Sequence, residues 1–524
     1  MTTVGETLIR LLEAHGVDTV FGIPGVHTIE LYRGLAASRI RHVTPRHEQG
    51  AAFMADGYAR ACGKPGVAFV ITGPGLTNAL TPMAQARADS VPMLVVSGVN
   101  RLDTLGKGLG YLHELPDQRG LAEKVALLSF RVEDSAELPG VLATAFELFA
   151  TARPGPVHVE IPLDIMALPA PDMAPLPVAA QPTAADAAAV ARIAAGLAAS
   201  QRPLILAGGG AKAADAELTL LAELLDAPVV TTVNARGLMH RHPLAVHASP
   251  SLKAVRALIA DADAVLAVGT EFGPTDYDMY VDGGFAMPRN LFRIDIDTAQ
   301  LARRPAAMVA LGSATEVLPR VAEQLGNGRP SREGARRAKE AVEAAWNEIG
   351  PLMRAQVSAV EAIRDALPGA LIVGDSTQPV YAANLWYDHD RPGGWFNAAT
   401  GYGALGYGPA AAIGAAIARP DLPVVCLTGD GGFQFTLPEV AAAVETGAAV
   451  IFVVWNNRGY REIETSMRDA GVEPVGVSPA PPDLIKLADA YGMPAERIEV
   501  SDLAAALSRA HKAGGPRLIE ILVA

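Results

Sequence analysis

The chain has 524 residues, of which 50% are hydrophobic and 19% are charged, and its formal net charge is -13. That length exceeds what one hydrophobic core serves and predicts about three domains. The charge is spread along the chain without a run of Lys and Arg, which argues against a nucleic-acid partner.

The N-terminal segment MTTVGETLIRLLEAHGV predicts an amphipathic helix and lacks the basic and apolar regions of a signal peptide. No uninterrupted apolar stretch reaches the roughly 18 residues that span a bilayer. The two cysteines, Cys62 and Cys426, lie far apart and match no metal-ligand spacing. We therefore expect a reducing, cytoplasmic location and no membrane partner.

Short apolar runs bounded by Gly, Pro or Asp alternate with longer Ala-rich helical stretches along almost the whole chain. This alternation predicts an α/β fold built from βαβ units, with three doubly wound parallel-sheet domains. In chain order the predicted strands include VAFVITG (67–73), PMLVVSG (92–98), PLILAGGG (203–210), AVLAVG (264–269), PVVCLTGD (423–430) and AVIFVVWNN (449–457).

Two segments interrupt the alternation. Residues 166–190 are rich in Pro and Ala and predict a surface linker that leads into a helix. Residues 326–348 open with turn formers and continue as a charged helix. We therefore expect three domains, at residues 1–170, 185–328 and 340–524.

A carboxylate stands early in the segment RHEQGAAFMADGYAR (46–60), where a predicted strand gives way to a helix. Taken alone, Glu48 is typical of the first turn of a solvated helix, where a negative charge suits the helix dipole. The apolar run from Ala51 to Met54 would favour a protonated acid, because desolvation disfavours the charged form. The same run is equally consistent with an ordinary helix core.

In the last third of the chain, Asp430 follows one buried strand, and Asn456 and Asn457 follow the next. A strand, a crossover helix and a parallel strand occupy the intervening residues, so both side chains emerge at the same carboxyl edge of the sheet. A carboxylate, an amide oxygen and one backbone carbonyl form a partial shell for Mg²⁺. Gly431 and Gly432 leave room for a phosphate at the start of the next helix.

This arrangement resembles the cofactor motif of thiamine diphosphate enzymes of the acetolactate synthase-like family. The resemblance implies that Asp430, Asn457 and the carbonyl of Gly459 hold Mg²⁺, which holds the diphosphate. It covers almost the whole chain, in the order pyrimidine-binding domain, middle domain and diphosphate-binding domain.

Motifs elsewhere match the same family: FGIPGVHTIELY (21–32), ITGPGLTNAL (71–80), GDSTQ (374–378) and GYGALGYG (401–408). The resemblance implies that the Gly403 carbonyl supports the aminopyrimidine, that Leu405 bends the cofactor, and that Glu48 donates to its N1' atom. The further cofactor contacts that it implies are Pro24, Gly25, Thr72, Asn78, Ser376, Thr377, Gln378, Gly431, Gly432 and Tyr460.

In this family Glu48 and the metal clamp come from different subunits, which implies a homodimer or a dimer of dimers. The implied reaction is attack of the activated cofactor on a 2-oxo acid, loss of CO₂ to an enamine, and protonation to an aldehyde. Addition to a second keto acid in place of a proton would make the protein a carboligase, such as an acetolactate synthase.

Departures from acetolactate synthases fall at the substrate end. Val26 and His27 follow FGIPG, where those enzymes carry a Gly and an apolar residue; Leu112-His113-Glu114 replaces Phe-Gln-Glu; and no Trp occurs beyond Trp455. Pyruvate decarboxylases have paired histidines that are absent here, and Ile463 stands where their pocket Glu would align. Benzoylformate decarboxylase is also an imperfect match.

The segments GLGYLHELPDQRG and GTEFGPTDYDMYVDGGF are more similar to decarboxylases of 5-guanidino-2-oxopentanoate, the keto acid of arginine. A guanidinium substrate requires carboxylates, for which Glu114, Asp117, Asp276 and Asp278 are candidates, although each is also typical of a surface or structural acid. His27 and His113 are candidates for proton delivery, with a structural role as the alternative. The substrate contacts we predict are Val26, Glu114, Gln118 and Ile463.

The middle domain carries PLILAGGGAKAA and AVLAVGTEFG, which resemble a dinucleotide-binding fold but depart from a strict G-x-G-x-x-G. FAD, another nucleotide or no ligand at all are open alternatives there. Two rival classes are an inactive nucleotide-binding homologue and an NAD-dependent dehydrogenase. The first is disfavoured by the joint presence of Glu48, Asp430 and Asn457, and the second leaves the clamp unexplained.

Overall fold

The computed structural model describes residues 2–171, 173–178, 184–326 and 333–523. It contains three six-stranded sheets, and every pair of neighbouring strands in them is parallel. The predicted fold of three doubly wound parallel-sheet domains is confirmed. Most strands are buried on both faces, which is why their sequences read as continuous apolar runs.

The first sheet has the strand order β2-β1-β3-β4-β6-β5. Its strands are β1 (Thr19–Gly22), β2 (Arg41–Val43), β3 (Gly66–Val70), β4 (Met93–Val99), β5 (Leu128–Arg131) and β6 (Pro156–Pro162). Its helices are α1 (Val4–Ala14), α2 (Ile29–Ala36), α3 (Glu48–Cys62), α4 (Pro74–Ala88), α5 (Gln118–Ala122), α6 (Leu138–Thr151) and α7 (Leu163–Met166).

The middle sheet has the order β12-β11-β10-β7-β8-β9. Its strands are β7 (Pro203–Ala207), β8 (Val229–Thr231), β9 (Ala245–Val246), β10 (Ala264–Val268), β11 (Leu291–Asp295) and β12 (Met308–Leu311). Its helices are α8 (Ala187–Ala199), α9 (Asp215–Leu225), α10 (Lys253–Ala260), α11 (Pro274–Tyr277), α12 (Thr298–Ala302) and α13 (Ala314–Leu325).

The third sheet has the order β14-β13-β15-β16-β18-β17. Its strands are β13 (Leu371–Gly374), β14 (Trp395–Asn397), β15 (Val424–Gly429), β16 (Val450–Asn456), β17 (Ala495–Ile498) and β18 (Arg517–Leu522). The helices from here on are α14 (Gly334–Glu348), α15 (Gly350–Ala366), α16 (Gln378–Leu385), α17 (Tyr407–Ala418), α18 (Asp430–Phe435), α19 (Val440–Thr446), α20 (Arg461–Asp469), α21 (Leu484–Ala490) and α22 (Leu503–Ala513).

The two interruptions of the sequence pattern lie between the sheets. The predicted linker at 166–190 ends in α8, and its residues 172 and 179–183 lie outside the described residues, as do the turn formers at 327–332. The charged helix α14 packs against the middle domain, where Gly334 N–H donates to Asp226 Oδ2 at 3.0 Å and Arg337 Nη1 donates to Pro203 O at 3.2 Å. By these contacts α14 extends the middle domain. In the described ranges, no helix is both long and apolar enough to cross a membrane.

The first and third domains share one continuous hydrophobic core, centred on the contact between α3 and α17. Glycines allow the two helices to approach closely. A Cβ atom on Gly57 would lie 1.9 Å from Ala411 O, and one on Gly414 would lie 1.9 Å from Met54 O. Since residue 57 faces 411 and residue 54 faces 414, the two helices run antiparallel.

A buried ionic cluster reinforces this interface. Arg60 pairs with Asp56 and Asp89, each at 2.7 Å, and the Tyr407 hydroxyl donates to Asp56 Oδ1 at 2.6 Å. Burial raises the pKa of Asp56, which Arg60 and Tyr407 partly offset. Removing one partner would leave an uncompensated charge in the core, so the cluster fixes how the two domains dock.

The close approach of α3 to α17 predicts a strong and specific effect of added volume. Gly57→Ala should lower the melting temperature markedly, because its methyl group would overlap the α17 backbone, and such overpacking typically costs about 1–3 kcal/mol or more. Gly140→Ala in α6 is the matched control, since a Cβ there meets no atom within 4 Å. Thermal unfolding of both variants measures the difference, and equal melting temperatures would contradict the packing described.

Candidate functional site

The end of the third sheet brings together the predicted metal-binding residues. Strands β15 and β16 pair in register, with Gly429 beside Trp455, so Asp430 and Asn456 leave the sheet side by side. Asp430 is only 2% exposed. Asn457 and Gly459 follow in the next turn.

Three polar groups converge in this turn. One end of the Asn457 side-chain amide lies 3.2 Å from Asp430 Oδ1 and 2.8 Å from the Gly459 carbonyl oxygen, and its other end lies 3.0 Å from Gln378 Oε1. Without a cation, the amide nitrogen in the first position donates to both oxygens, whereas a cation among these groups would be met by the amide oxygen. Neighbouring ligands around Mg²⁺ are about 2.9 Å apart for metal–oxygen distances of about 2.0–2.1 Å, so the spacing fits a hard divalent cation.

The electrostatics of the turn agree with this donor set. Burial raises the pKa of Asp430, and a cation would favour its ionised form. Within the described ranges no group of three or more His, Cys, Asp or Glu side chains could hold a metal ion. The converging donors are instead mixed carboxylate, amide and carbonyl oxygens, which suit magnesium or calcium better than a softer metal.

Glycines at this edge are required by space and by backbone conformation. Gly459 has φ +146°, and a Cβ there would lie 2.4 Å from Val477 O. A Cβ on Gly431 would lie 2.5 Å from the Tyr460 ring, and one on Gly432 would lie 3.1 Å from Asp375 Oδ1. Gly431 and Gly432 form the first turn of α18, where free N–H groups can bind an anion.

Two further predicted segments approach the clamp. Gln378 bonds Asn457, and Thr377 Oγ1 lies 3.1 Å from where a Gly429 Cβ would stand, while Ser376 is the residue before Thr377. In the Gly-rich loop before α17, Gly403 has φ +76° and Leu405 is half-buried. The carboxylate of Asp375 ties this loop to the clamp, because it accepts from Gly406 N–H at 3.2 Å and from Gly408 N–H at 3.0 Å.

Glu48 lies on the first domain, where it is the first residue of α3 and is half-buried. Asn78 Nδ2 donates to Glu48 Oε2 at 2.9 Å. This pair lies near the N-terminal ends of α3 and α4. Arg60 and Asp89 bond at the C-terminal ends of the same helices, so α3 and α4 run side by side in the same direction.

The Gly-rich loop of the same chain lies at those other ends. Thr400 Oγ1 donates to Asp89 Oδ1 at 2.7 Å, and Ala404 N–H donates to Gln85 Oε1 at 3.2 Å. Gln85 lies seven residues after Asn78 on α4, so the contact with Ala404 is about 10 Å along this helix from the residue that bonds Glu48. Within one chain, the predicted acid and the Gly-rich loop therefore contact α4 about two turns apart.

Polar atoms without partners collect beside the ends of β1, β3 and β4. Among the described residues, the buried atoms His27 Nδ1, Thr72 Oγ1 and His113 Nδ1 have no hydrogen-bond partner. The rings of His27 and His113 meet edge to face with centroids 5.2 Å apart. Burial, and secondarily His113, lower the pKa of His27.

Main-chain atoms pack tightly around these histidines. A Cβ on Gly25 would lie 2.4 Å from Ile71 Cδ1, and one on Gly73 would lie 2.4 Å from His113 O. Pro24 is exposed. The structure thus brings Pro24, Gly25, His27, Thr72 and His113 to one edge, with polar atoms available for a ligand.

The four predicted substrate residues differ in exposure. Val26 and Ile463 are 66% and 52% exposed. The Glu114 carboxylate already has backbone partners, because it accepts from the N–H groups of Leu109, Gly110 and Tyr111 at 2.7–3.2 Å. Gln118 is 2% exposed, and its amide bonds Gly73 N–H, Gly98 O and Glu160.

The other guanidinium candidates also have local partners. Asp117 caps α5 by accepting from Gly120 N–H at 2.8 Å, and Asp278 pairs with Arg256 at 2.9 Å. Asp276 accepts from Val233 N–H at 3.0 Å, and burial raises its pKa to about 6. These contacts agree with the structural alternative stated for each acid.

Sequence reasoning missed three buried polar residues. Asp375 and Gln85 hold the Gly-rich loop, and burial raises the pKa of Asp375 to about 6. Glu439, which is 0% exposed, bonds the backbone immediately before Glu48. The position of Asp375 directly after a predicted strand could have identified it as a candidate site residue. Glu439 stands in an ordinary helical stretch, and its sequence neighbours do not distinguish it from other helical acids.

The middle sheet has its own crevice, of about 410 Å³, where the strand order reverses between β7 and β10. Gly208, Gly209, Gly210 and Gly269 form its floor. Topological switch points of this kind are where doubly wound sheets bind ligands.

Comparison with known families follows this geometry. The chain matches three domain patterns: "Thiamine pyrophosphate enzyme, N-terminal TPP binding domain" at residues 2–121, the "central domain" of the same enzymes at 190–321, and their "C-terminal TPP binding domain" at 374–521. The fold and these three matches define the class of the protein, which is a three-domain α/β protein whose candidate ligand sites lie at the two outer sheets. The chain belongs to the thiamine pyrophosphate enzyme family, as the sequence motifs predicted.

Individual relatives agree with this assignment. A protein described as a "Probable 2-ketoarginine decarboxylase" from Pseudomonas aeruginosa is 43% identical over 500 residues, which cover 94% of this chain and 88% of that protein. A "Probable acetolactate synthase large subunit" from Methanococcus aeolicus is 31% identical, with 99% and 91% covered. The "Acetolactate synthase isozyme 3 large subunit" of Escherichia coli is 32% identical, with 94% and 89% covered.

Proposed function

We propose that this protein is a thiamine diphosphate-dependent, non-oxidative decarboxylase of 2-oxo acids, with 5-guanidino-2-oxopentanoate as the preferred substrate. The observation that carries the reaction class is the pairing of an oxygen clamp on one outer domain with an acid, Glu48, on the other. Membership of the thiamine pyrophosphate enzyme family supports the interpretation of that pairing as a cofactor site.

In this proposal the diphosphate end of the cofactor binds the third domain. Asp430, Asn457 and Gly459 hold Mg²⁺, and the N–H groups of Gly431 and Gly432 bind phosphate oxygens. Ser376, Thr377, Gln378 and Tyr460 line the same edge. The convergence of the Asp430 carboxylate, the Asn457 side-chain amide and the Gly459 carbonyl supports this assignment.

When bound, thiamine diphosphate supplies the nucleophilic carbon and accepts the electron pair left by departing CO₂. The chain contributes orientation and protons. Glu48, which accepts from Asn78, would donate a proton to the N1' atom, the Gly403 carbonyl would accept from the aminopyrimidine, and Leu405 would contact the cofactor. His27 and His113 supply protons to the product, a role supported by their free ring nitrogens.

The role of Glu48 leads to a direct test. Glu48→Gln should lower kcat by about 100-fold or more, because the amide cannot transfer a proton, while thiamine diphosphate affinity stays within a few-fold. Steady-state kinetics and calorimetric cofactor titration give the two quantities. Glu217→Gln, which changes another first-turn helix carboxylate, in α9, is the control. Full turnover in the Glu48 variant would refute the mechanism.

The metal assignment has its own test. Removing divalent ions with a chelator should abolish thiamine diphosphate binding, and Mg²⁺ should restore it. Asp430→Asn should raise the Mg²⁺ concentration needed by about tenfold or more, as losses in metal-site ligands or their supports generally do. Asp469→Asn, an exposed carboxylate at the end of α20, should leave it unchanged. Cofactor binding that is insensitive to chelation would exclude the metal clamp.

We further propose that the active site forms between two subunits, so that the working protein is a homodimer or a dimer of dimers. The supporting observation is that, within one chain, Glu48 bonds Asn78 while the Gly-rich loop bonds Gln85, about two turns further along α4. In this proposal, as the family resemblance implies, the acid and the loop that serve one cofactor come from different copies.

Mixed dimers test this arrangement. A dimer of one Glu48→Gln chain and one Asp430→Asn chain would contain one doubly altered site and one intact site, because closed two-fold pairing makes two equivalent interfaces. Differently tagged chains, co-expressed and purified through both tags, should recover about half of the wild-type activity. Mixed dimers as inactive as either parent would show that each site belongs to one chain.

The substrate proposal rests on the 43% identical relative, described as a probable 2-ketoarginine decarboxylase, against 31–32% for the acetolactate synthases. It also rests on the exposed Val26 and Ile463 at the substrate end. The second candidate is acetolactate synthase activity on pyruvate, which the more distant relatives favour. The two differ in whether the intermediate accepts a proton or a second keto acid.

A substrate panel separates these candidates. CO₂ release should be fastest with 5-guanidino-2-oxopentanoate, and slower by at least about tenfold with 2-oxoheptanoate, a chain of similar length without the cation, because charged pairs discriminate strongly. Pyruvate, 2-oxobutanoate and benzoylformate complete the panel, with aldehydes and acetohydroxy acids assayed separately. Acetolactate formed from pyruvate as the sole activity would establish the second candidate.

A further inference from the structure

Glu439 belongs to the third domain, and its carboxyl group contacts the first domain. It ends the short 3-10 helix Leu437–Glu439, which follows α18, and it is 0% exposed. Both of its oxygens accept from Arg46 N–H, at 3.1 and 3.0 Å, and Oε1 also accepts from His47 N–H at 3.0 Å. The next residue is Glu48.

The backbone around this contact leaves no room for another arrangement. A Cβ on Gly50 would lie 2.2 Å from Glu439 Oε1, so the third residue of α3 must be small for the carboxyl group to reach the helix. His47 caps α3 through its Nδ1 atom, which accepts from Gln49 N–H. Glu439 thus binds the two peptide groups that precede the first turn.

The charges that face this carboxyl group are few. Arg46 points its guanidinium elsewhere, to Glu445 and to Thr44 O, and His47 and Glu48 are the remaining titratable neighbours on α3. Burial has the largest influence and raises the pKa of Glu439 to about 7, while the N–H groups of Arg46 and His47 and the charge of Arg46 lower it and the neighbouring Glu48 raises it slightly.

We propose that Glu439 is a positioning residue for Glu48, because its carboxyl group fixes the backbone at the start of α3. This inference deepens the proposed function and rests on the role given there to Glu48. It acts from the third domain of the same chain, whereas the cofactor that Glu48 serves lies on another copy.

Glu439→Gln tests the proposal through the pH dependence of turnover. The ratio of wild-type to variant kcat should rise with a midpoint near pH 7, reaching about tenfold at pH 8 and staying within about threefold at pH 6, because the ionised carboxylate binds N–H groups more strongly than an amide. Thiamine diphosphate affinity should stay within about twofold. Glu445→Gln, which removes a neighbouring exposed carboxylate, is the matched control, and its ratio should be near one at every pH.

A ratio that stays near one, or is independent of pH, would overturn the proposal. If Glu439→Gln does not fold, Glu439→Asp carries the test: retracting the carboxylate should lower kcat with cofactor affinity kept, and unchanged kcat would overturn it. The Glu48→Gln variant separates the two levels. If it retains turnover, the proposed mechanism fails; if it is inactive while Glu439→Gln behaves as wild type, only the positioning role fails.

Discussion

The antiparallel contact between α3 and α17 is the constraint on which the rest of the structure depends. Each helix has a glycine at the contact, Gly57 on α3 and Gly414 on α17, and the absence of side chains there lets the two backbones approach closely. That contact joins two domains into one core through helices that lie more than 300 residues apart in the sequence. It also sets how Glu48 and the Gly-rich loop are placed relative to each other within one chain.

Carboxylates at domain edges are the second recurring device. Asp375, Asp430 and Glu439 are all buried, and burial raises the pKa of each. Each accepts hydrogen bonds from backbone N–H groups or faces a cluster of oxygens. Burying an acid in this way is unfavourable unless it gains hydrogen bonds, and here Asp375 holds a loop and Glu439 holds a helix start, while Asp430 lies in the turn proposed to bind a metal.

The sequence was sufficient for the fold and for half of the candidate site. Alternating apolar runs and helices determine the three parallel sheets, and the spacing from Asp430 to Asn457 requires a strand, a helix and a strand that return to one edge. Glu48 and the Gly403 loop came from family resemblance, since their local sequence also suits ordinary helix starts and turns.

What the sequence could not supply were contacts between distant segments. Glu439 reaches Arg46 across 393 positions, and nothing in LPEVAAAV distinguishes it from a helical surface acid. Gln118 shows the opposite case: its position beside the predicted substrate segment suggested a ligand contact, yet its amide joins Gly73, Gly98 and Glu160 in the interior. Which polar group a side chain meets depends on how distant segments of the chain pack, within a domain for Gln118 and between domains for Glu439, and the local pattern does not encode that packing.

The shared core has a consequence for how this chain can be divided. Phe53 and Met54 on α3, and Ile413 on α17, are fully covered only while both outer domains are present. Either outer domain produced alone would carry an uncovered, glycine-lined apolar face. The middle domain has one core formed within residues 185–325, but the other face of its sheet shares a core with Val357, Ala382 and Leu385 of the third domain. In protein engineering, exchanging the central unit therefore requires its surface toward the third domain to be kept, while the two outer units must be inherited together.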